Sequence, residues 1–314
     1  GESLPLTPSR VIWSGRMSRE LSRQDRSQGL QRVEVDALVI LKIMKHARDQ
    51  TGASGKLMGL DVGAVLQVTH SFATPERNIE SGDTTQDSQY SLEMMKALRE
   101  VNVDANTVGW YTSTYLSHFL TERLLEEQIG YQEKINDKCV VLVFDPLQNA
   151  IGRLAFRAFR VTDELVKRRK EANQRGQPLG MNLQQLQCDN LLEEVPLSIN
   201  NPLLVEAFLV DNVLGDPFQS SVDLDTLDFD NSAYMQKNLS ALIDCLDDLA
   251  SEESKRQFLD KRQPRPYMDR RYNPMDSLLI SSQIQNYCRD INTYSEESMG
   301  KLFVVNHSVL KQDK

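Results

Sequence analysis

Apolar residues recur along this chain in two rhythms, and the change from one to the other divides it. Up to about Val213, strand-like and helix-like runs alternate. Val33 and Val35 alternate with polar neighbours as in a short strand, and Asp36 stands where a helix N-cap belongs. Leu38, Ile40, Leu41, Met44 and Lys45 follow a helix period to about Arg48. Gly52, Ala53, Ser54 and Gly55 break the chain. Residues 57–61 and 65–72 predict a hairpin turning at Val62-Gly63. Residues 74–83 are a polar excursion, and Tyr90, Met94, Met95 and Leu98 mark the helix after it. Residues 107–111 are β-branched, small and aromatic, which suits a buried strand ending at a pocket. Leu116, Phe119, Leu120, Leu124 and Leu125 predict a helix directly after that strand. Residues 139–144 form a continuous apolar run closed by Asp145-Pro146, the pattern of a buried strand. Residues 151–159 alternate apolar and basic, as an edge or half-exposed strand does.

Residues 161–172 then read as a basic helix, 176–180 as a loop, and 195–199 as one strand returning to the sheet. Pro202 opens a helix at its first turn, where proline is tolerated. This order predicts an α/β fold, a mixed β-sheet flanked by helices. Residues 1–31 are a polar arm, with Val11, Ile12 and Trp13 as its one candidate anchor, and 32–214 form the α/β domain.

The second rhythm fills a C-terminal helical region, 215–314. Met235, Leu239, Leu242, Leu246 and Leu249 repeat at intervals of four and three, as do Ile280, Ile284, Tyr287, Ile291 and Tyr294. Such spacing lays an apolar seam along one side of a helix, as in bundles and coiled coils. A charged, proline-containing linker near 251–274 separates the two seams. The seams can close on each other as a hairpin or enter a bundle built with other chains. Surplus apolar residues, Leu278, Leu279, Leu302 and Phe303, favour the bundle, although the same residues can also dock on the α/β core.

Composition narrows the function classes. The chain has 314 residues and 35.8 kDa, enough for one sizeable core plus an appendage or for two small domains. No apolar run approaches the roughly 20 residues that cross a bilayer. Residues 1–30 lack the apolar stretch of a secretory signal, and the chain opens on Gly1 rather than Met, so further residues are expected upstream. Cys139, Cys188, Cys245 and Cys288 form no CxxC pair, the pattern of reduced structural thiols in an intracellular protein, and a cytoplasmic location is expected. His46, His70, His118 and His307 show no metal spacing. A net charge of −9 disfavours autonomous nucleic-acid binding. Two basic clusters, 167–170 and Lys261 with Arg262, Arg265, Arg270 and Arg271, read first as solvated faces and only second as RNA contacts.

Gly109-Trp110-Tyr111-Thr112-Ser113-Thr114 resembles the JAMM metalloprotease signature of MPN domains. In that family two histidines follow Gly-Trp-Tyr, separated by one residue, with a serine and an aspartate further on. Laid over this chain, the histidine positions are Thr112 and Thr114, the serine position Glu122 and the aspartate position Leu125. The family's general base, a glutamate before a Met-Gly-Leu strand, falls on Lys56. Catalytic zinc needs about three imidazole, thiolate or carboxylate ligands and an open position for water. Threonine hydroxyls stay protonated near neutral pH, leucine donates nothing, and an ammonium repels the ion and cannot serve as its base. His118 reads as a helix-surface or core histidine and Glu122 as a solvated helix residue. The expectation is an MPN fold without its reaction, its metal or any cofactor.

A second resemblance covers more of the chain. Val35-Asp36-Ala37-Leu38, Lys42-Ile43-Met44-Lys45-His46, Glu93-Met94-Met95 and residues 108–115 are similar to the h-subunit family of eukaryotic translation initiation factor 3. So are Met275-Asp276-Ser277-Leu278-Leu279-Ile280, Gln283-Ile284-Gln285-Asn286-Tyr287-Cys288 and Gly300-Lys301-Leu302-Phe303. The resemblance implies a non-catalytic MPN subunit that pairs with the MPN-containing f subunit of the same factor. It also implies C-terminal helices in a bundle with PCI-domain subunits, and binding to the small ribosomal subunit through the assembly. The alternatives are an inactive MPN subunit of the proteasome lid or signalosome, and a zinc isopeptidase using other ligands. The seam residues and the four surplus apolar residues are then the partner-binding positions.

Overall fold

The computed structural model describes residues 29–75, 84–150, 155–175, 191–214, 232–261 and 274–312. Eight strands form one sheet among them: β1 (Arg32–Asp36), β2 (Ser54–Val62), β3 (Val65–Ala73), β4 (Thr107–Ser113), β5 (Val140–Phe144), β6 (Phe156–Val161), β7 (Leu192–Val195) and β8 (Leu197–Asn200). Their order across the sheet is β7-β6-β5-β4-β2-β3-β1-β8. The pairs β1–β3, β1–β8 and β4–β5 are parallel and the other four antiparallel. The β2–β3 hairpin turns at Gly63, whose φ of 63° lies in the left-handed region open to glycine. Lys138 holds that turn from outside the hairpin, donating from Nζ to Gly63 O at 2.6 Å and to Asp61 Oδ1 at 3.0 Å.

The segment expected to be one strand over 195–199 is two strands at opposite ends of the sheet. Only Pro196 separates β7 from β8, so the sheet curls until its first and last strands meet. Proline brings no N–H to a ladder, which lets the chain leave one edge and join the other. Its carbonyl still accepts from Val33 N at 2.9 Å, on β1 next to the far edge. A cleft of about 550 Å³ lined by Phe156, Val195, Pro196 and Leu197 marks where closure is incomplete.

Side chains alternate across β4 and β5, and each face has its own core. Tyr111 and Leu142 join Val33, Val35 and Leu66 under helix α1 (Ala37–Asp49), which contributes Val39, Ile40 and Ile43. Trp110, Val141 and Val143 join Leu124, Leu125 and Ile129 of α3 (Glu122–Lys134) on the other face. Helix α2 (Thr84–Glu100) covers a smaller cluster of Met58, Phe72, Leu98 and Ala105. A short α4 (Pro146–Ala150) follows β5, α5 (Asp163–Arg175) follows β6, and α6 (Leu203–Leu214) follows β8.

Four local expectations change. Asp36 occupies the N-cap position of α1 but makes no side-chain capping bond, and burial, with Asp104 nearby, raises its pKa. The break before β2 ends at Ala53, because Ser54 and Gly55 already pair with Thr112 and Tyr111. Leu116, Phe119 and Leu120 are buried, but no helix follows β4 directly; α3 starts at Glu122. Strand β6 is interior, flanked by β5 and β7, because β7 shields the side expected to be an edge. The arm up to residue 28 and the loop at 176–180 lie outside the described residues, as does most of the polar excursion after Ala73.

Helix α7 (Ser232–Lys261) and helix α8 (Pro274–Gln312) are about 45 and 58 Å long at the ordinary rise per residue. They pack on each other as a hairpin. The first part of the expected linker, 251–261, continues α7. Among the described residues no helix is long and apolar enough to cross a membrane.

Two glutamines one turn apart on the buried side of α3 tie it to the sheet. Gln128 accepts from Trp110 Nε1 at 2.9 Å and donates to Cys139 O at 2.7 Å. Gln132 pairs both ways with the Val161 backbone, at 2.9 and 3.0 Å. Gln128 is fully buried, so its loss strands donor and acceptor away from water. The Gln128→Leu substitution is expected to lower the unfolding free energy by about 3 kcal/mol, read from the urea midpoint.

Candidate functional site

Of the positions that the JAMM resemblance marks, Thr112 and Thr114 lie at the end of β4 and line one cleft, whereas Lys56, Glu122 and Leu125 are not among its lining residues. Gly109 lets β4 approach β5, since a Cβ there would stand 2.0 Å from Val140 O. Two residues on, the chain reaches Tyr111, whose hydroxyl meets His46 Nδ1 at 2.9 Å. Beyond it Ser54, Thr112, Thr114, His118, Arg123 and Glu127 line a cleft of about 260 Å³. Thr112 Oγ1 donates weakly to Ser113 O at 3.4 Å, and the buried Thr114 Oγ1 has no partner. Lys56 stands on β2 with Trp110 of β4 and Phe72 of β3 as register neighbours.

The helical positions are equally unlike a metal site. Glu122 is exposed in the first turn of α3, where a carboxylate suits the helix dipole. Thr121 Oγ1 caps that helix, accepting from Leu124 N at 3.2 Å. Leu125, the residue expected at the aspartate position, is fully buried among Ile129, Val141 and Val143 in the apolar core. Among the described residues no three of His, Cys, Asp and Glu are grouped to hold a metal.

Polar groups next to the cleft bond to one another within the chain. The segment after β4 carries two successive non-glycine residues in the left-handed region, Leu116 (φ 52°) and Ser117 (φ 54°). Each such residue costs on the order of 1–3 kcal/mol unless its surroundings hold it. Ser117 is buried and bonded by four side chains. Its N–H donates to Asp145 Oδ2 at 2.8 Å, and its Oγ accepts from Gln148 Nε2 at 3.0 Å and Arg157 Nη2 at 3.2 Å. Its carbonyl accepts from Gln283 Nε2 of α8 at 2.8 Å. Asp290, two turns along α8, accepts from Gln148 at 3.3 Å and pairs with Arg157 at 3.5 Å. The Arg157 guanidinium also lies over the rings of Phe119 and Phe159.

Around this network Met275 and Leu279 of α8 enter the core beside Phe119 and Leu120, with Leu278 half-buried beside them. Leu278 and Leu279 are therefore no surplus for a partner. Ile280, Ile284, Tyr287 and Tyr294 pack with Leu116, Tyr234, Leu242 and Cys245 inside the hairpin, and Leu249 and Ile291 are half-buried. The contact face of α7 is rotated from the expected seam. Tyr234, Asn238 and Cys245 turn inward, Met235 is half-buried, and Leu239 and Leu246 stay exposed together with Ile243. Leu302 and Phe303 are exposed near the far end of α8.

Of the basic clusters, Arg168 and Arg169 are held by Glu164 and Glu126. The second cluster lies outside the described residues beyond Lys261. Ser117, Asp145, Gln148, Arg157, Gln283 and Asp290 were not legible as a unit. The one signal for them was Gln283 and Asp290 interrupting an otherwise apolar series of Met275, Leu279, Tyr287 and Tyr294.

Burial raises the Asp145 carboxyl above the usual range; N–H donors from Ser117, Leu147 and Gln148 oppose this, and the Asp290 charge adds to it. A carboxyl raised by folding binds its proton more tightly in the native state, so its contribution falls as pH rises from about 3.8 through the folded value. Relative to an Asp145→Asn variant, the wild-type chain is expected to lose stability as pH rises from 4 to 7, measured by urea midpoints.

Two family models match the chain. One, JAB1/Mov34/MPN/PAD-1 ubiquitin protease, covers residues 28–137, and the other, the C-terminal region of eIF3h, covers 149–274. The h subunit of eukaryotic translation initiation factor 3 from Dictyostelium discoideum is 33% identical over 86% of this chain and 92% of its own length. The corresponding protein of Arabidopsis thaliana is 33% identical over 87% and 91%, and the H-B form from Danio rerio 30% over 88% and 92%.

Proposed function

The chain belongs to the h-subunit family of eukaryotic translation initiation factor 3, an MPN domain followed by C-terminal helices, and from that premise we propose a non-catalytic scaffold role within the factor. In this reading the α/β domain pairs with the MPN-containing f subunit, and the C-terminal helices enter a bundle with PCI-domain subunits. The assembly binds the small ribosomal subunit in the cytoplasm. The hydroxyls, ammonium and aliphatic side chain at the family's catalytic positions support the non-catalytic part.

The observation that carries the scaffold reading is apolar surface left outside the two cores. Strands β1 and β8 are parallel neighbours, with Asp36 opposite Asn200, and helices α1 and α6 leave from those adjacent ends. On α6, Leu203, Leu204 and Phe208 are 81%, 83% and 66% exposed, and Leu38 and Leu41 of α1 are exposed as well. A helix this apolar needs cover on more than one side. Leu239, Ile243 and Leu246 make a second stripe on the outer side of α7, and Met299, Leu302, Phe303 and Val304 a third on α8. We assign the first surface to the MPN partner and the other two to the bundle. Direct RNA contact through residues 167–170 gains little support, because two of the four cations there are already paired.

Ile284 and Ile291 of the expected seam do not suit such a test, since Ile284 packs within the chain's own hairpin and Ile291 is half-buried. Exposed positions separate assembly from folding. With the full chain in its native factor, Leu239→Asp, Ile243→Asp and Leu246→Asp combined are expected to cut recovery of PCI-domain subunits at least tenfold, while f-subunit recovery and the melting temperature stay unchanged. Leu204→Asp with Phe208→Asp is expected to do the reverse. Unaltered recovery of every component in both variants would contradict the proposal.

A further inference from the structure

Segment 114–121 borders the cleft through Thr114 and His118, yet much of what holds it lies on a helix more than 150 residues away. Ser117 O accepts directly from Gln283. Asp290 engages Gln148 and Arg157, the two side chains that hold Ser117 Oγ. Apolar contact follows the same path, since Leu116 packs with Tyr287, and Phe119 and Leu120 share a core with Met275 and Leu279. The backbone held in this way is the left-handed pair Leu116-Ser117, which has little reason to keep that conformation once its partners leave.

We propose that segment 114–121 and the docked part of α8 form one coupled element, in which α8 is a strap that fixes the shape of the cleft beside Thr112 and Thr114. Whatever draws Gln283 and Asp290 off the domain frees the loop, and whatever reshapes the loop loosens the strap. The two sides are linked reciprocally because they share the same bonds. The coupling is built into the chain and holds whichever partner the C-terminal helices engage.

Hydrogen exchange on the full-length chain tests this. In a Gln283→Leu, Asp290→Asn double variant, amides of 114–121 are expected to exchange about tenfold faster, the loss of one to two ordinary hydrogen bonds, with β4 and β5 amides unchanged. Loop protection within twofold of the parent overturns the proposal, whether or not α8 itself loosens. Should the variant lose β4 and β5 protection as well, the parent chain decides. Under rising sub-denaturing urea, loop amides and the α8 amides around 283–290 are expected to merge on one opening free energy and one urea slope. Separate slopes that never merge overturn it.

Discussion

A serine in the left-handed region, with an equally strained leucine before it, needs outside support, and Ser117 draws that support from four side chains. Asp145 follows β5, Gln148 is on α4, Arg157 is on β6 and Gln283 is on α8. Each bond is worth only about 1 kcal/mol net, but breaking one strands a buried partner and lets the backbone relax. The position of the C-terminal hairpin therefore rests on the same contacts that shape the end of β4. Arg289 with Glu194 adds an exposed ion pair of minor weight.

The emptied site and the docked helix belong to one physical picture. A metal centre needs donors that converge on an open, hydrated position. Leu125 instead fills the apolar layer with Ile129 and Val141, and β4 ends in hydroxyls. At the cleft Arg123 and Glu127 pair with each other, and the polar groups around Ser117 bond between the domain and α8. Among the described residues, exposed apolar side chains group on α1, α6, the outer side of α7 and the far part of α8, with others scattered, such as Leu92, Val101 and Tyr115. A chain that buries its own hairpin yet leaves those stripes is shaped to be one component among several.

Much of the architecture was readable from residue order, and the failures have identifiable causes. The alternation at Val33 and Val35, the Val62-Gly63 turn and the apolar run of β5 each express a local rule, and each element is present. Leu116, Phe119 and Leu120 have helix-like spacing, but bonds to Asp145 and Gln283 hold that backbone in another conformation. Pro196 looked like an interior residue of one strand because periodicity does not say that the two sides of a proline join opposite edges of a curled sheet. The α7 seam was misjudged by part of a turn because Asn238 faces inward, whereas leucine-counting follows Leu239 and Leu246 on the outside. The residues that the JAMM resemblance marks could be named because a short motif carries them. The Ser117 network could not be, since its members come from the loop after β4, the end of β5, α4, β6 and α8, far apart in the sequence.

Metal content of the purified full-length chain, after equilibration with zinc and removal of excess, is the most direct measurement of whether this site serves packing rather than chemistry. The expected result is far less than about one zinc per chain, because Thr112, Thr114 and Leu125 supply no ligand set for the ion. Close to one tightly held zinc per chain, lost when Thr112 and Thr114 are replaced by valine, would contradict it.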